Sequence, residues 1–479
     1  MRNENVIFNK SEDTICLVNN IGQRLDSWAY FPIGTAIISG VLKKAGYEVK
    51  VLDIDLHPEL ESEISNYKVI MFGMMVGKPL SFALRKIEEI KSQDDKIIIV
   101  GGPMVMAMPH EILNETKADY LVHGDVERSL IELLEYLENG GILDKIAGLG
   151  YRSKEGIKIN PPAMIRDLDS LPFPDLESFD TELYIKSINN IDLPGTRSIN
   201  WYTSRGCDFD CQFCSHLRNW RGNSPARMVE DLKYLKEKFG IEAVWFYDDN
   251  FMQNAKRINE FCDLMIKEKT GIQWGCEARV TSVKRDIVSK MKQAGCVGIR
   301  NGLESGSDRV LKIMHKGATL QDAKNAIEVL TEFDMPVKGA FIFGSPTETI
   351  EDAKETLNFI KWIYKINPKA NLWTAFFVPR PATPWYDLAI QKGMKEIKLY
   401  EWADVYKHRR LFEFNMSDLS EKQIKNIMRR VRIYKFLAGS RRKNYLNVPG
   451  ALANHMIRRL NSFVRSLTGN SQVQTLEGH

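Results

Sequence analysis

No apolar run in this sequence approaches the ~20 residues that a membrane-spanning helix needs, so an integral membrane protein is not expected. The amino terminus, MRNENVIFNKSED, lacks the basic start, apolar stretch and small-residue cleavage site of a secretory signal. A cytoplasmic location is therefore the expectation. Excess charge is also scarce. The 66 Lys and Arg against 62 Asp and Glu leave a formal +4, which argues against a dedicated nucleic-acid binder whose whole surface is basic. Cysteine is sparse and odd in number, seven in 479 residues, and three of the seven crowd into one short window. That is a ligand pattern and not a disulfide framework. Low-complexity tracts and convincing short repeats are missing as well.

What is present is the composition of an ordinary globular protein, 44% apolar and 27% charged, in a chain long enough for two or three domains. The first segment alternates apolar strands (TICLVNN, YEVKVLDID, KVIMFGMMV, KIIIVGG and ADYLVHGD) with helix-like runs such as Ile33 to Ala45 and Phe82 to Lys91. That alternation predicts a doubly wound parallel sheet over residues 1–140. From 141 to 195 the periodicity weakens around LDSLPFPDLESF, which reads as a linker. From 196 to 390 six strand-like segments (SINWYTSRG, AVWFYDDNF, QWGCEARV, GIRNGLES, VKGAFIFGS and NLWTAFFVP) recur at longer spacing. Six such units favour a partial (β/α)6 barrel over an open sheet. Residues 391–468 read as a helical, basic region and 469–479 as a disordered tail.

The chemistry concentrates in TSRGCDFDCQFCSH, where Cys207, Cys211 and Cys214 follow a strand. Three thiolates on one loop suit an iron-sulfur cluster and leave one iron of a 4Fe-4S cube without a protein ligand, hence open to chemistry. The same spacing also suits tetrahedral zinc, with His216, Cys262, Cys276 or Cys296 as a fourth ligand. Phe213 reads as a packing residue beside the loop.

This CxxxCxxC loop, with the strand-end motifs that follow it, resembles the radical S-adenosylmethionine (SAM) superfamily over about Ser198 to Asp387. The resemblance implies that SAM chelates the open iron and is cleaved by an electron from the cluster to methionine and a 5'-deoxyadenosyl radical. It also implies cofactor-binding roles for strand-end residues facing the barrel mouth: Asp248 and Asn250 after the second strand, and Glu277 and Arg279 after the third. Arg279 resembles the arginine that pairs with the cofactor carboxylate, Glu304 in GLESGS the carboxylate near the ribose, and Gly344 in FIFGSP a backbone approach to adenine. Taken singly, each reads equally well as a solvated strand-end charge or a turn glycine. Their order after the cysteine loop is what favours function.

The leading segment, in FPIGTAIISGVLKKAGYEVKVLDID, IIIVGGPMVMAMP and ADYLVHGDVE, resembles the cobalamin-binding domain of a large radical SAM subfamily. Gly101 and Gly102 at a strand end are candidates for close approach to a corrin tail. The Asp55-Leu56-His57 triplet is similar to the start of a cobalt-ligating motif. Leu60 stands where that motif has glycine, however, so His57 is read as a surface histidine and cobalamin is expected without it. Only Cys16 lies in the leading segment, and no cysteine follows Cys296, so a single cluster is expected.

Between Ser417 and Leu437, and again between Ala451 and Leu467, the sequence forms basic helical patterns. The second is amphipathic. It fits a helix packed on the barrel, or one lying in a membrane interface. The cofactors expected are a 4Fe-4S cluster, SAM and cobalamin, with an external electron donor. The reaction expected is methylation of an unactivated carbon. Cyclisation, rearrangement or carbon-carbon coupling is the alternative, and a non-catalytic zinc or cluster-sensing module is a remoter one. The substrate, a lipid or another small molecule, is not legible.

Overall fold

The computed structural model describes residues 8–22, 30–93, 96–187, 197–215, 217–404 and 414–443. The Ala451 to Leu467 helix and His216 lie outside them.

Five parallel strands build the first sheet: β1 (Ile15–Asn19), β2 (Val49–Asp53), β3 (Val69–Gly73), β4 (Ile97–Gly101) and β5 (Tyr120–Val122). Their order is 2-1-3-4-5. Alternate residues of one strand enter different cores. Ile15 and Leu17 pack on one face of the sheet and Cys16 and Val18 on the other, so both faces are covered by helices, as a parallel sheet requires. Burying each such aliphatic side chain contributes on the order of 1.5–3 kcal/mol.

Two further strands, β6 (Leu149–Ser153) and β7 (Gly156–Ile159), extend this sheet in antiparallel fashion. They fall within the stretch expected as a linker. Short strands with Arg152, Ser153 and Lys158 at a sheet edge carry little periodicity to read. The remainder of that stretch straps the two halves together. Asp175 accepts from Ser39 Oγ at 2.5 Å and pairs with Lys43 at 2.8 Å, while Leu171 O accepts from Arg227 at 3.0 Å.

The second sheet holds six parallel strands in sequential order: β8 (Ser198–Trp201), β11 (Ala243–Phe246), β12 (Gln273–Ala278), β13 (Cys296–Glu304), β14 (Val337–Phe343) and β15 (Asn371–Phe376). This is the partial barrel. A small antiparallel pair, β9 (Ser204–Arg205) and β10 (Arg221–Gly222), brackets the cysteine loop. Helices close each crossover, and their ends are encoded locally. Thr319 and Thr349 each form a reciprocal cap with an aspartate three residues on, and Ser224 caps a helix that begins with Pro225 and ends at Gly240 in the left-handed region.

The basic helix Glu421–Lys443 packs on the helix Ile350–Ile366, with Ile427 and Val431 buried. No helix among the described residues is long and apolar enough to cross a membrane.

Candidate functional site

The cysteine loop runs between β9 and β10, with Cys207 and Cys211 buried and Cys214 exposed. Its backbone is fastened from below by the strand end after β11. Asp248, 1% exposed, accepts from Thr203 N at 2.7 Å, Thr203 Oγ1 at 2.6 Å and Ser204 Oγ at 2.5 Å. Burial raises this carboxyl above the usual range, with Arg257 opposing the shift. Asn250, fully buried, donates to Gln253, which in turn donates to Asp208 of the loop at 3.2 Å. Both residues thus position the loop; the Asp248 carboxylate is committed to protein partners, whereas Asn250 keeps a buried Oδ1 without a partner.

Arg279 is different. It is 6% exposed, its Nη1 lies 3.4 Å from Cys211 Sγ, and its guanidinium lies 3.5 Å from the Phe209 ring centroid. Its Nε and Nη2 are buried with no hydrogen-bond partner. Such orphaned donors cost ~1–3 kcal/mol each unless a ligand completes them. Among the described residues, no three His, Cys, Asp or Glu side chains converge closely enough to hold an ion. The donor set nevertheless suits a thiolate-held cluster, and the incomplete guanidinium beside it suits a carboxylate bound next to that cluster. Cys262, Cys276 and Cys296 lie in the apolar core with Phe246, Phe261 and Trp274, and do not join the loop.

Glu304 and Gly344 lie at the ends of β13 and β14. Glu304 has φ of +58°, an unusual backbone for a non-glycine residue, and its buried carboxylate pairs with buried Lys316 at 2.8 Å. Lys316 was not singled out in the sequence. Its signal there is only a lysine before Gly317 in a loop, which becomes informative once the fold sets it against Glu304. Gly344 has φ of +85°, and a Cβ there would meet the Phe376 ring at 2.2 Å. Its N–H donates to Glu348 at 2.6 Å. Glu277 turns away from this group, accepting from Trp245 Nε1 at 2.9 Å and Arg300 Nη1 at 2.7 Å inside the barrel.

A second feature lies at the carboxyl edge of the first sheet, where open α/β sheets bind ligands. A cavity of about 550 Å³ is lined by Gly73, Met74, Gly101 and Gly102 of that edge and by Asn200, Tyr202 and Tyr247 of the barrel. Gly102 has φ of +104°, and a Cβ would stand 3.0 Å from Met74 O, so glycine is what lets these two strand ends pack this closely at the cavity wall. The lining suits a large, mostly apolar ring system. His57 is absent from it and lies near Glu59, 3.3 Å away.

Comparison with known proteins bears on both features. The Radical SAM superfamily model matches residues 201–360, and the B12 binding domain model matches residues 29–134. The chain belongs to the radical SAM superfamily. It is a radical SAM enzyme with a B12-binding domain, so a 4Fe-4S cluster, SAM and cobalamin are its cofactors.

An uncharacterized methyltransferase of Pyrococcus horikoshii is 28% identical over 378 residues, 76% of this chain and 79% of the relative. The anaerobic magnesium-protoporphyrin IX monomethyl ester cyclase of Rubrivivax gelatinosus is 26% identical over 74% of this chain and 64% of its own. Among solved structures, the cobalamin-dependent SAM radical enzyme OxsB aligns with a TM-score of 0.60 at 23% identity, over 73% of this chain and 52% of that one. The radical SAM methyltransferase TsrM of Kitasatospora setae aligns at 0.65 and 17% identity, over 80% of this chain and 75% of that one. At these identities the two structures establish the fold. This chain spans about half of the OxsB chain.

Proposed function

We propose that this radical SAM enzyme is a cobalamin-dependent methyltransferase acting on an unactivated carbon. The observation that carries the reading is the shared cavity. The carboxyl edge of the B12-binding sheet, at Gly101 and Gly102, and the mouth of the barrel, at Tyr202 and Tyr247, line one chamber. A methyl donor and a radical source on its two sides would meet the same substrate.

In this reading Cys207, Cys211 and Cys214 hold the cluster. Arg279 pairs with the SAM carboxylate through the donors that have no protein partner, and Glu304, set by Lys316, binds near the ribose. Gly344 gives backbone access to the adenine. Asp248 and Asn250 keep the cysteine loop in register, and Gly101 and Gly102 admit the corrin. When bound, the cluster and SAM supply a 5'-deoxyadenosyl radical, and cobalamin supplies a transferable methyl group. The protein's own part is to bind, to orient and to keep water from the chamber.

The test is anaerobic reconstitution with iron and cobalt quantified, followed by detection of 5'-deoxyadenosine after SAM and reductant are added. Iron near four per chain, stoichiometric cobalt and 5'-deoxyadenosine formation are expected. A preparation that forms 5'-deoxyadenosine but binds no cobalamin would overturn methyl transfer. It would favour radical ring formation, the second reading, which the cyclase relative supports.

A further inference from the structure

The neck of the cysteine loop carries two like charges face to face. Arg205 on β9 and Arg221 on β10 are register partners in the antiparallel pair, and the residues between them, 206–220, include Cys207, Cys211 and Cys214. Like charges directly opposite on paired strands repel, so the neck needs acids set against it to close. The loop's own Asp208 and Asp210 accept from Trp220 N and Arg218 instead.

The acids that meet the two arginines come from the B12-binding half. They are Asp125 and Glu127, at the start of the helix Val126–Asn139. Arg221 Nη2 lies 2.6 Å from Asp125, and Arg205 Nη1 lies 2.8 Å from Asp125 and 3.2 Å from Glu127. Both acids are buried, 2% and 4% exposed, so salt screens them little. Asp125 gives up a local role to do this. It stands at the N-cap, where an aspartate ordinarily accepts from the backbone of the first turn, yet its side chain makes no such bond. It accepts from Ile165 N at 2.6 Å and turns to the arginines. The same turn also borders the chamber. Val126, between the two acids, and Leu130, one turn on, line the cavity with Gly101 and Gly102.

We propose that Asp125 and Glu127 are positioning residues that couple the two cofactor sites. With a corrin seated against Val126 and Leu130, the first turn of the helix is held in place. The two acids then keep Arg205 and Arg221 together, and the cysteine loop, with Arg279 beside Cys211, is set for SAM. Cobalamin thereby tightens SAM binding, and SAM tightens cobalamin binding by the same factor, since coupling between two binding sites is reciprocal. No displacement of either half is needed, because the ligand that binds second finds the shared turn already ordered. The inference rests on the chamber as the cobalamin site.

The experiment is equilibrium dialysis of SAM against the anaerobically reconstituted, cluster-loaded protein without reductant, in the absence and in the presence of saturating hydroxocobalamin. SAM should bind the wild type about fivefold or more tightly with cobalamin present. Cobalamin affinity, read by absorbance, should rise by the same factor with SAM. Asp125→Asn and Glu127→Gln keep acceptors of the same shape and remove the charge set against the arginines. Each should bring the ratio of SAM affinities with and without cobalamin towards one, and Asp125→Glu should retain part of it. A merely structural ion pair would weaken SAM binding equally in both conditions and leave that ratio unchanged. A wild-type ratio of one, or a ratio undiminished in both neutral variants, would overturn the proposal, the latter by showing that the cofactors are coupled without these acids. If Asp125→Asn does not fold, Glu127→Gln decides. Cobalt bound per chain in the same preparation tests the site itself. A wild type that binds no cobalamin would overturn the underlying reading and the coupling with it, whereas cobalamin bound at a ratio of one overturns the coupling alone.

Discussion

Asp125 and Arg221 form a buried ion pair across the two halves of the molecule. Arg221 Nη2 donates to both Asp125 oxygens, at 2.8 and 2.6 Å, with the side chains 2% and 9% exposed. Arg205 adds a further bond to Asp125 at 2.8 Å and pairs with Glu127. Both arginines sit on the strand pair that brackets the cysteine loop, and both acids sit at the start of the helix Val126–Asn139, whose Val126 and Leu130 line the shared cavity. The B12-binding half thus grips the hairpin that brackets the cysteine loop.

Breaking that grip has a predictable cost. Asp125→Ala leaves Arg221 buried without its carboxylate partner, which should destabilise the fold by ~3–5 kcal/mol. Asp125→Asn, which keeps acceptors of the same shape, should cost less. Chemical unfolding of the cofactor-free chain measures both. A loss under about 1 kcal/mol in the alanine variant would place the pair among exposed bridges of little consequence.

Cys211→Ala should abolish cluster assembly and the 5'-deoxyadenosine that depends on it. Iron content and visible absorbance after anaerobic reconstitution report the first, chromatography the second. Retention of either would remove Cys211 from the ligand set.

The buried pair of Glu304 and Lys316 makes a sharper claim about SAM. Lys316→Met leaves the Glu304 carboxylate unbalanced at a strained backbone position. It should weaken SAM binding to the cluster-loaded protein by about tenfold or more, and Lys316→Arg should recover most of the loss. Equilibrium dialysis reads this directly. Equal affinity in all three proteins would detach the pair from the cofactor.

The fold was legible because its signals are local. Runs such as IIIV at Ile97 to Val100 and AVWF at Ala243 to Phe246 can bury both faces only in helix-covered parallel sheets, and both became such strands. The cysteine spacing pointed to the loop for the same reason. What stayed hidden depends on direction. Asp248, Asn250 and Glu277 stand at or near strand ends as expected, yet their side chains turn to Thr203, Gln253 and Arg300. A strand-end position does not say which way a carboxylate points. The ion pair that joins the halves, Asp125 with Arg221, and the pair within the barrel, Glu304 with Lys316, were invisible because partners 96 and 12 residues apart have no periodicity that relates them.

Glu348 offers a test in pH. It is fully buried, its Oε2 accepts from Gly344 N at 2.6 Å and Ser345 N at 2.9 Å, and its Oε1 has no partner. Burial pushes its pKa from 4.5 up to about 7, against the two backbone donors. An acid raised in the folded state holds a proton that the unfolded chain has already released, so folding stability falls as pH rises from the unfolded value towards the folded one. Between pH 4.5 and 7 this group should cost the wild type ~2–3 kcal/mol that Glu348→Gln does not lose. Urea unfolding of the two proteins at pH 5 and 7.5 measures the difference. If their stabilities run parallel across that interval, Glu348 is ionised in the fold throughout and its two backbone donors outweigh its burial.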